Sequence, residues 1–83
     1  MQKDDLIRVQ HMLDAAREAI HFARNKTRSS LDTDRKLALA LVKSIEIIGE
    51  GAANVTKEGQ AQMPQIPWPN IISMRNRLIH NVD

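Results

Sequence analysis

Residues 38–57, ALALVKSIEIIGEGAANVTK, decide the fold. Ala38, Leu41, Ile45, Ile48, Ala52 and Val55 fall at alternating intervals of three and four, which stacks them on one stripe of an α-helix. Leu37, Ala40, Ile47 and Gly51 widen the apolar side, so this helix is expected to lie centrally, with a broad buried face. Asp32 or Thr33 is a suitable cap for its start, and the pattern runs to about Lys57. Gly49 and Gly51 are each worse than alanine inside a helix by about 1 kcal/mol. A tight helix crossing, with another backbone close to these positions, accounts for them.

Towards the N-terminus, Leu6, Val9, Leu13, Ala16, Ile20 and Ala23 repeat the three-four alternation and predict a helix from Asp4 to about Asn25. Asp4 or Asp5 suits its positive end, and Arg24 and Lys26 suit its negative end. Thr27 to Ser30 reads as a polar connection, short enough to make the next helix an antiparallel neighbour. Towards the C-terminus, Gly59 punctuates the central helix, and Met63 to Asn70 holds all three prolines. That connector leads into a third helix from about Pro69, with Ile71, Met74 and Leu78 on one side and Arg75, Asn76, Ile79 and His80 continuing it. The expected class is all-α, an antiparallel up-and-down bundle in one domain over residues 1–83.

With 42% hydrophobic and 27% charged residues in 83, the chain is too apolar for a disordered segment and too short for two domains. The absence of cysteine excludes disulfides, thiolate zinc sites and thiol nucleophiles, and fits a reducing compartment. No apolar run reaches the roughly 18 to 20 residues of a membrane span, and Met1 to Asp5 lacks the apolar core of a signal peptide, so a soluble, cytoplasmic protein is expected. A domain this small gains stability from partners, so a homodimer or higher oligomer is expected. The net charge of +2 is too small for general coating of nucleic acid, which makes any such contact local.

The densest polar cluster is Met74-Arg75-Asn76-Arg77-Leu78-Ile79-His80. Asn76 and His80, at i and i+4, are helical neighbours, and Asn76 is placed to orient His80; Arg75 and His80 lie about 140° apart around the axis. Arginine clamps phosphate bidentately and histidine side chains move protons near neutral pH, two parts that cleavage of RNA through its 2′-hydroxyl needs. A solvated basic helix end accounts for the same spacing.

Leu41 to Ala53 (LVKSIEIIGEGAA), Pro64 to Trp68 (PQIPW) and Ile71 to His80 (IISMRNRLIH), in that order, resemble the HepT-like branch of the HEPN superfamily. The resemblance covers most of the chain. It implies a dimerising helical bundle and a metal-independent endoribonuclease that acts as the toxin of a toxin-antitoxin pair, without a cofactor. Arg75, Asn76 and His80 correspond to the family's Arg, Asn and His. Arg75 would bind the scissile phosphate, Asn76 would hold His80, and His80 would serve as general acid or base, with two motifs facing each other across a dimer cleft. The implied protein partner is a nucleotidyltransferase of the MNT type. The branch's motif continues as His, any residue, Tyr; Val82 stands at the tyrosine position, so regulation by AMP transfer to that tyrosine does not carry over. The family also continues into a further helix beyond the motif, so the bundle is expected to be truncated after its third helix. A non-catalytic helical partner of an MNT-type protein is the alternative.

Glu50, one turn from Glu46 on the central helix, is a candidate to pair with Arg75 or Arg77, and Arg77 and Glu50 are candidate substrate contacts; surface charge or a structural salt bridge is the plainer account of both acids. His11 and His21 lack metal-ligand spacing and read as a solvated face, so no metal is expected. Trp68 reads as a plug between the connector and the bundle rather than a base-stacking platform. Arg24, Lys26, Arg28, Arg35 and Lys36 make a basic turn suited to salt-sensitive steering of RNA or simply to solvation.

Overall fold

A computed structural model describes residues 1–80. It contains α1 (Lys3–Ala23), α2 (Arg28–Thr33), α3 (Arg35–Asn54), α4 (Lys57–Gln62) and α5 (Trp68–His80), with no strand among the described residues. The three long helices are those that the apolar spacing predicts. The two short ones fill segments expected as connections, because local caps convert single turns into helix where six residues are too few to show a period. At α2, the Thr27 N–H donates to Ser30 Oγ at 3.1 Å. Asp34, rather than Asp32 or Thr33, caps α3, its carboxylate accepting from the Leu37 N–H at 3.0 Å. The central helix stops at Asn54 rather than Lys57, because Val55 is extended (φ −70°, ψ 135°). Thr56 then opens α4 by accepting the Gly59 N–H at 3.0 Å, so Gly59 lies inside a helix instead of ending one.

Asp5 meets Thr56 while Met12 meets the Gly51 position, so α1 and α3 run antiparallel. Trp68 packs with Ala52 and Val55 while Arg75 meets the Gly49 position, so α3 and α5 run antiparallel as well. The two glycines therefore serve different crossings. Two residues apart, they point about 160° away from each other around α3, Gly51 towards α1 and Gly49 towards α5.

Met12, Ala52, Val55 and Trp68 form the core, flanked by Val9, Ile48, Ile71 and Ile72. The Trp68 indole N–H donates to the Gln60 carbonyl at 3.1 Å and to the Met63 carbonyl at 3.0 Å, while Gln60 Nε2 reaches the carbonyls of Ala52 and Val55. Trp68 is thus the expected plug, and it fixes where α5 begins.

The expected stripe of α1 only partly coincides with its buried face, Val9 being the member that packs against the core. Leu6, Leu13 and Ile20 are 55%, 42% and 65% exposed, whereas Asp5, Met12 and Ala15 are buried. Each buried position is one residue before a predicted one, a rotation of the helix by about 100°. Two contacts impose it: Gly51 admits Met12, and Thr56 draws Asp5 inward.

Asp5 is the largest fully buried side chain among the described residues. Its carboxylate accepts from the Thr56 hydroxyl at 2.5 Å and the Thr56 N–H at 2.9 Å, with Arg8 3.9 Å away. The Thr56 hydroxyl bond, then the backbone bond, hold the carboxyl below its ordinary pKa; burial opposes them and Arg8 assists. A depressed folded-state value adds stability above the ordinary carboxyl range, and that stability is lost as pH falls through the folded value. Asp5→Asn is therefore expected to be less stable than the unaltered chain at neutral pH, with the difference shrinking below about pH 4. Urea midpoints across a pH series measure this, and a difference that does not change with pH would remove the ionised carboxylate as its cause.

Candidate active site

Three features place α5 over α3: the Trp68 plug at its start, the missing side chain at Gly49, and the arginine that fills the resulting space. Arg75 Cβ and Cγ occupy the volume that a side chain at Gly49 would take. The guanidinium then crosses α3 and places Nη2 3.1 Å from Glu50 Oε1. Its Nη1 donates to Asn76 Oδ1 at 2.9 Å. Nε–H is buried without a hydrogen-bond partner. Two of the five guanidinium N–H groups are thus engaged in fixing its orientation, and Nη1 and Nη2 each keep a second hydrogen to offer an anion.

The expected pairing of Glu50 with Arg75 is therefore present, and Arg75 is the arginine it selects. The Glu50 side chain is 57% exposed, so the pair contributes only about 0 to 1 kcal/mol to stability, and its consequence is directional. Asn76, expected to orient His80, gives its carboxamide oxygen to Arg75 instead, because the long arginine side chain folds back over its neighbour. His80 is exposed in the last turn of α5. Five positions separate it from Arg75, about 7.5 Å along the axis and 140° around it, so one α5 presents the two on different sides. Arg77 lines a shallow groove of about 170 Å³ with Asn70, Ser73 and Met74, away from Glu50.

A larger groove of about 370 Å³ lies between α1 and α3, where Arg8 and His11 face Lys43, Glu46, Glu50 and Asn54. His11, expected on a solvated face, lines this groove together with Arg8, Lys43 and Asn54, which no sequence motif singles out. The available signal is helical: Lys43, Glu46, Glu50 and Asn54 recur at intervals of three and four, a polar stripe parallel to the apolar one. Among the described residues, no three His, Cys, Asp or Glu side chains converge to hold a metal, and no helix is long and apolar enough to cross a membrane. Val82, at the position of the family tyrosine, lies outside the described residues.

The Arg-Asn and His that carry the resemblance to the HEPN superfamily thus lie on the last described helix of an all-helical chain. The chain belongs to the HepT-like family, whose model, described as "Ribonuclease HepT-like", matches residues 12–82. It is 30% identical over 70 residues to a Methanocaldococcus jannaschii protein named as a candidate RNase, covering 84% of this chain and 58% of that one. A second protein of that organism, named as a gamma-glutamylcyclotransferase and candidate RNase, is 33% identical over 95% of this chain and 36% of its own length. A Thermococcus cleftensis protein named as a candidate ribonuclease HepT is 38% identical over 57% of this chain and 43% of its own. The chain thus spans little more than half of the first of these relatives and less of the other two. No solved structure matches it.

Proposed function

We propose that the chain carries the motif of a metal-independent endoribonuclease. The observation that carries this reading is the Arg75 guanidinium, anchored against Gly49, aimed by Glu50 and Asn76 and keeping N–H groups for a phosphate, on the helix that also presents His80. Arg75 binds the scissile phosphate and neutralises charge as it develops there. His80 takes the proton of the attacking 2′-hydroxyl or returns one to the leaving 5′-oxygen. Asn76 acts through Arg75, as a positioning residue. Because one α5 turns Arg75 and His80 to different sides, the complete site combines the motifs of two copies in a dimer. Family membership supports RNA as the substrate, toxin activity as the role, and an MNT-type nucleotidyltransferase as the partner that restrains it.

The test is incubation of the purified chain with structured RNA in EDTA, with His80→Ala alongside. Cleavage is expected for the unaltered chain, with a loss of roughly 100- to 10,000-fold in the variant at unchanged helicity. A folded, dimeric chain that cuts nothing would instead favour the non-catalytic partner role, which complex formation with an MNT-type protein would then examine.

A further inference from the structure

We infer that the groove between α1 and α3 is a subsite for the RNA nucleotide flanking the scissile phosphate, with Lys43 holding its phosphate. The inference rests on the nuclease reading above and adds to it a second binding locus, outside the Arg75, Asn76 and His80 motif.

Three observations carry it. The groove is continuous with the cleavage motif, because Glu50, which lines it, is the carboxylate that holds Arg75 Nη2 at 3.1 Å. A strand whose phosphate lies on Arg75 is therefore at the mouth of the groove. The groove has the right size, since about 370 Å³ falls within the range of small-molecule sites. Its chemistry also fits one nucleotide. Lys43 supplies a cation for a phosphate, Ile47 offers an apolar surface to a base, Glu46 offers polar atoms to its edge, and Arg8 stands further along the groove. Lys43 has no carboxylate partner among the described residues, and Arg8 has one only at 3.9 Å, in Asp5. Seven residues from Lys43 to Glu50 span about 10 Å along α3, a distance suited to a neighbouring nucleotide rather than to the scissile phosphate itself.

The carboxylate of Glu46 supplies the discriminating prediction. A strand in this groove senses charge of both signs, so Lys43→Ala should weaken binding and Glu46→Gln should strengthen it. Both variants would be assayed in the full chain, with KM and kcat measured on a structured RNA and with binding of the same RNA to the His80→Ala background measured across a salt series. Lys43→Ala is expected to raise KM about fivefold at nearly constant kcat and to reduce the salt slope of binding by about 1. Glu46→Gln is expected to lower KM about twofold or more. If the unaltered chain cleaves RNA while neither variant moves KM or the salt slope, the subsite is overturned and the nuclease reading stands. RNA binding that depends on Lys43 in a chain that does not cleave would sustain RNA binding in this groove and sink the nuclease reading. Absence of RNA binding at low salt would overturn the subsite.

Discussion

Arg75→Ala should slow metal-free RNA cleavage by roughly 100- to 1,000-fold, the loss typical of removing one preorganised group that stabilises transition-state charge. Its effect on stability should be small. Alanine keeps the Cβ that packs into the space at Gly49, and the truncation also removes a buried Nε–H that lacks a partner. The ion pair with Glu50 is too exposed on the carboxylate side to contribute more than about 1 kcal/mol. Cleavage kinetics in EDTA, together with urea unfolding, separate the two effects. Arg75→Lys should recover little, because an ammonium cannot hold Glu50 and Asn76 while offering a planar fork to phosphate. A large fall in stability at full activity would make Arg75 a packing residue and leave the phosphate without its clamp.

Gly49→Leu should remove α5 from its seat on α3. Even a methyl group at this position would overlap Arg75 Cβ, an atom tied to the α5 backbone that cannot swing aside as a side-chain tip can. Overpacking of this kind costs about 1 to 3 kcal/mol, and a leucine should reach the upper end or beyond. For a domain this small that corresponds to a melting point lower by about 10 °C or more. Gly49→Ala should also destabilise, although alanine is the better helix former by about 1 kcal/mol. Gly51→Ala provides the comparison. There the nearest atoms are the flexible Met12 Cγ and, at 3.3 Å, the Arg8 carbonyl, so the loss should be smaller. Urea midpoints should rank Gly49→Leu below Gly49→Ala and Gly49→Ala below Gly51→Ala. A Gly49→Ala chain more stable than the unaltered one would show that α5 does not press on α3 at this point. Both Gly49 variants should also reduce cleavage, since Arg75 reaches Glu50 only from a closely packed α5.

The three long helices were legible because each buries a long apolar face, and such a face writes its period into the sequence. The close approaches at Gly49 and Gly51 were legible for a related reason: glycine is unfavourable within a helix unless the missing side chain is used. The short helices were not legible. Their existence rests on one or two capping bonds, at Thr27 with Ser30 and at Thr56 with Gly59, and polar residues of this kind also suit turns. The motif residues were singled out by the family resemblance rather than by spacing, and the partner of each was not legible. Helical neighbourhood favours Asn76 with His80, whereas the arginine side chain is long enough to claim Asn76 first.

The sequence by itself determined that the chain is helical, that the apolar stripe through Ile45, Ile48 and Ala52 makes one helix central, and that Arg75, Asn76 and His80 share the last described helix. These are consequences of spacing along one chain, where 3.6 residues per turn converts order into direction. Only the tertiary structure decided which face of α1 turns inward, because that follows from Thr56 capturing Asp5 and Gly51 admitting Met12 across more than thirty residues of sequence. It also decided that Glu50 aims Arg75 and that Arg8 and Lys43, on different helices, line one groove. Contacts between helices depend on rotation about each axis, and a rotation of one residue changes every partner while leaving the apolar period of the sequence the same.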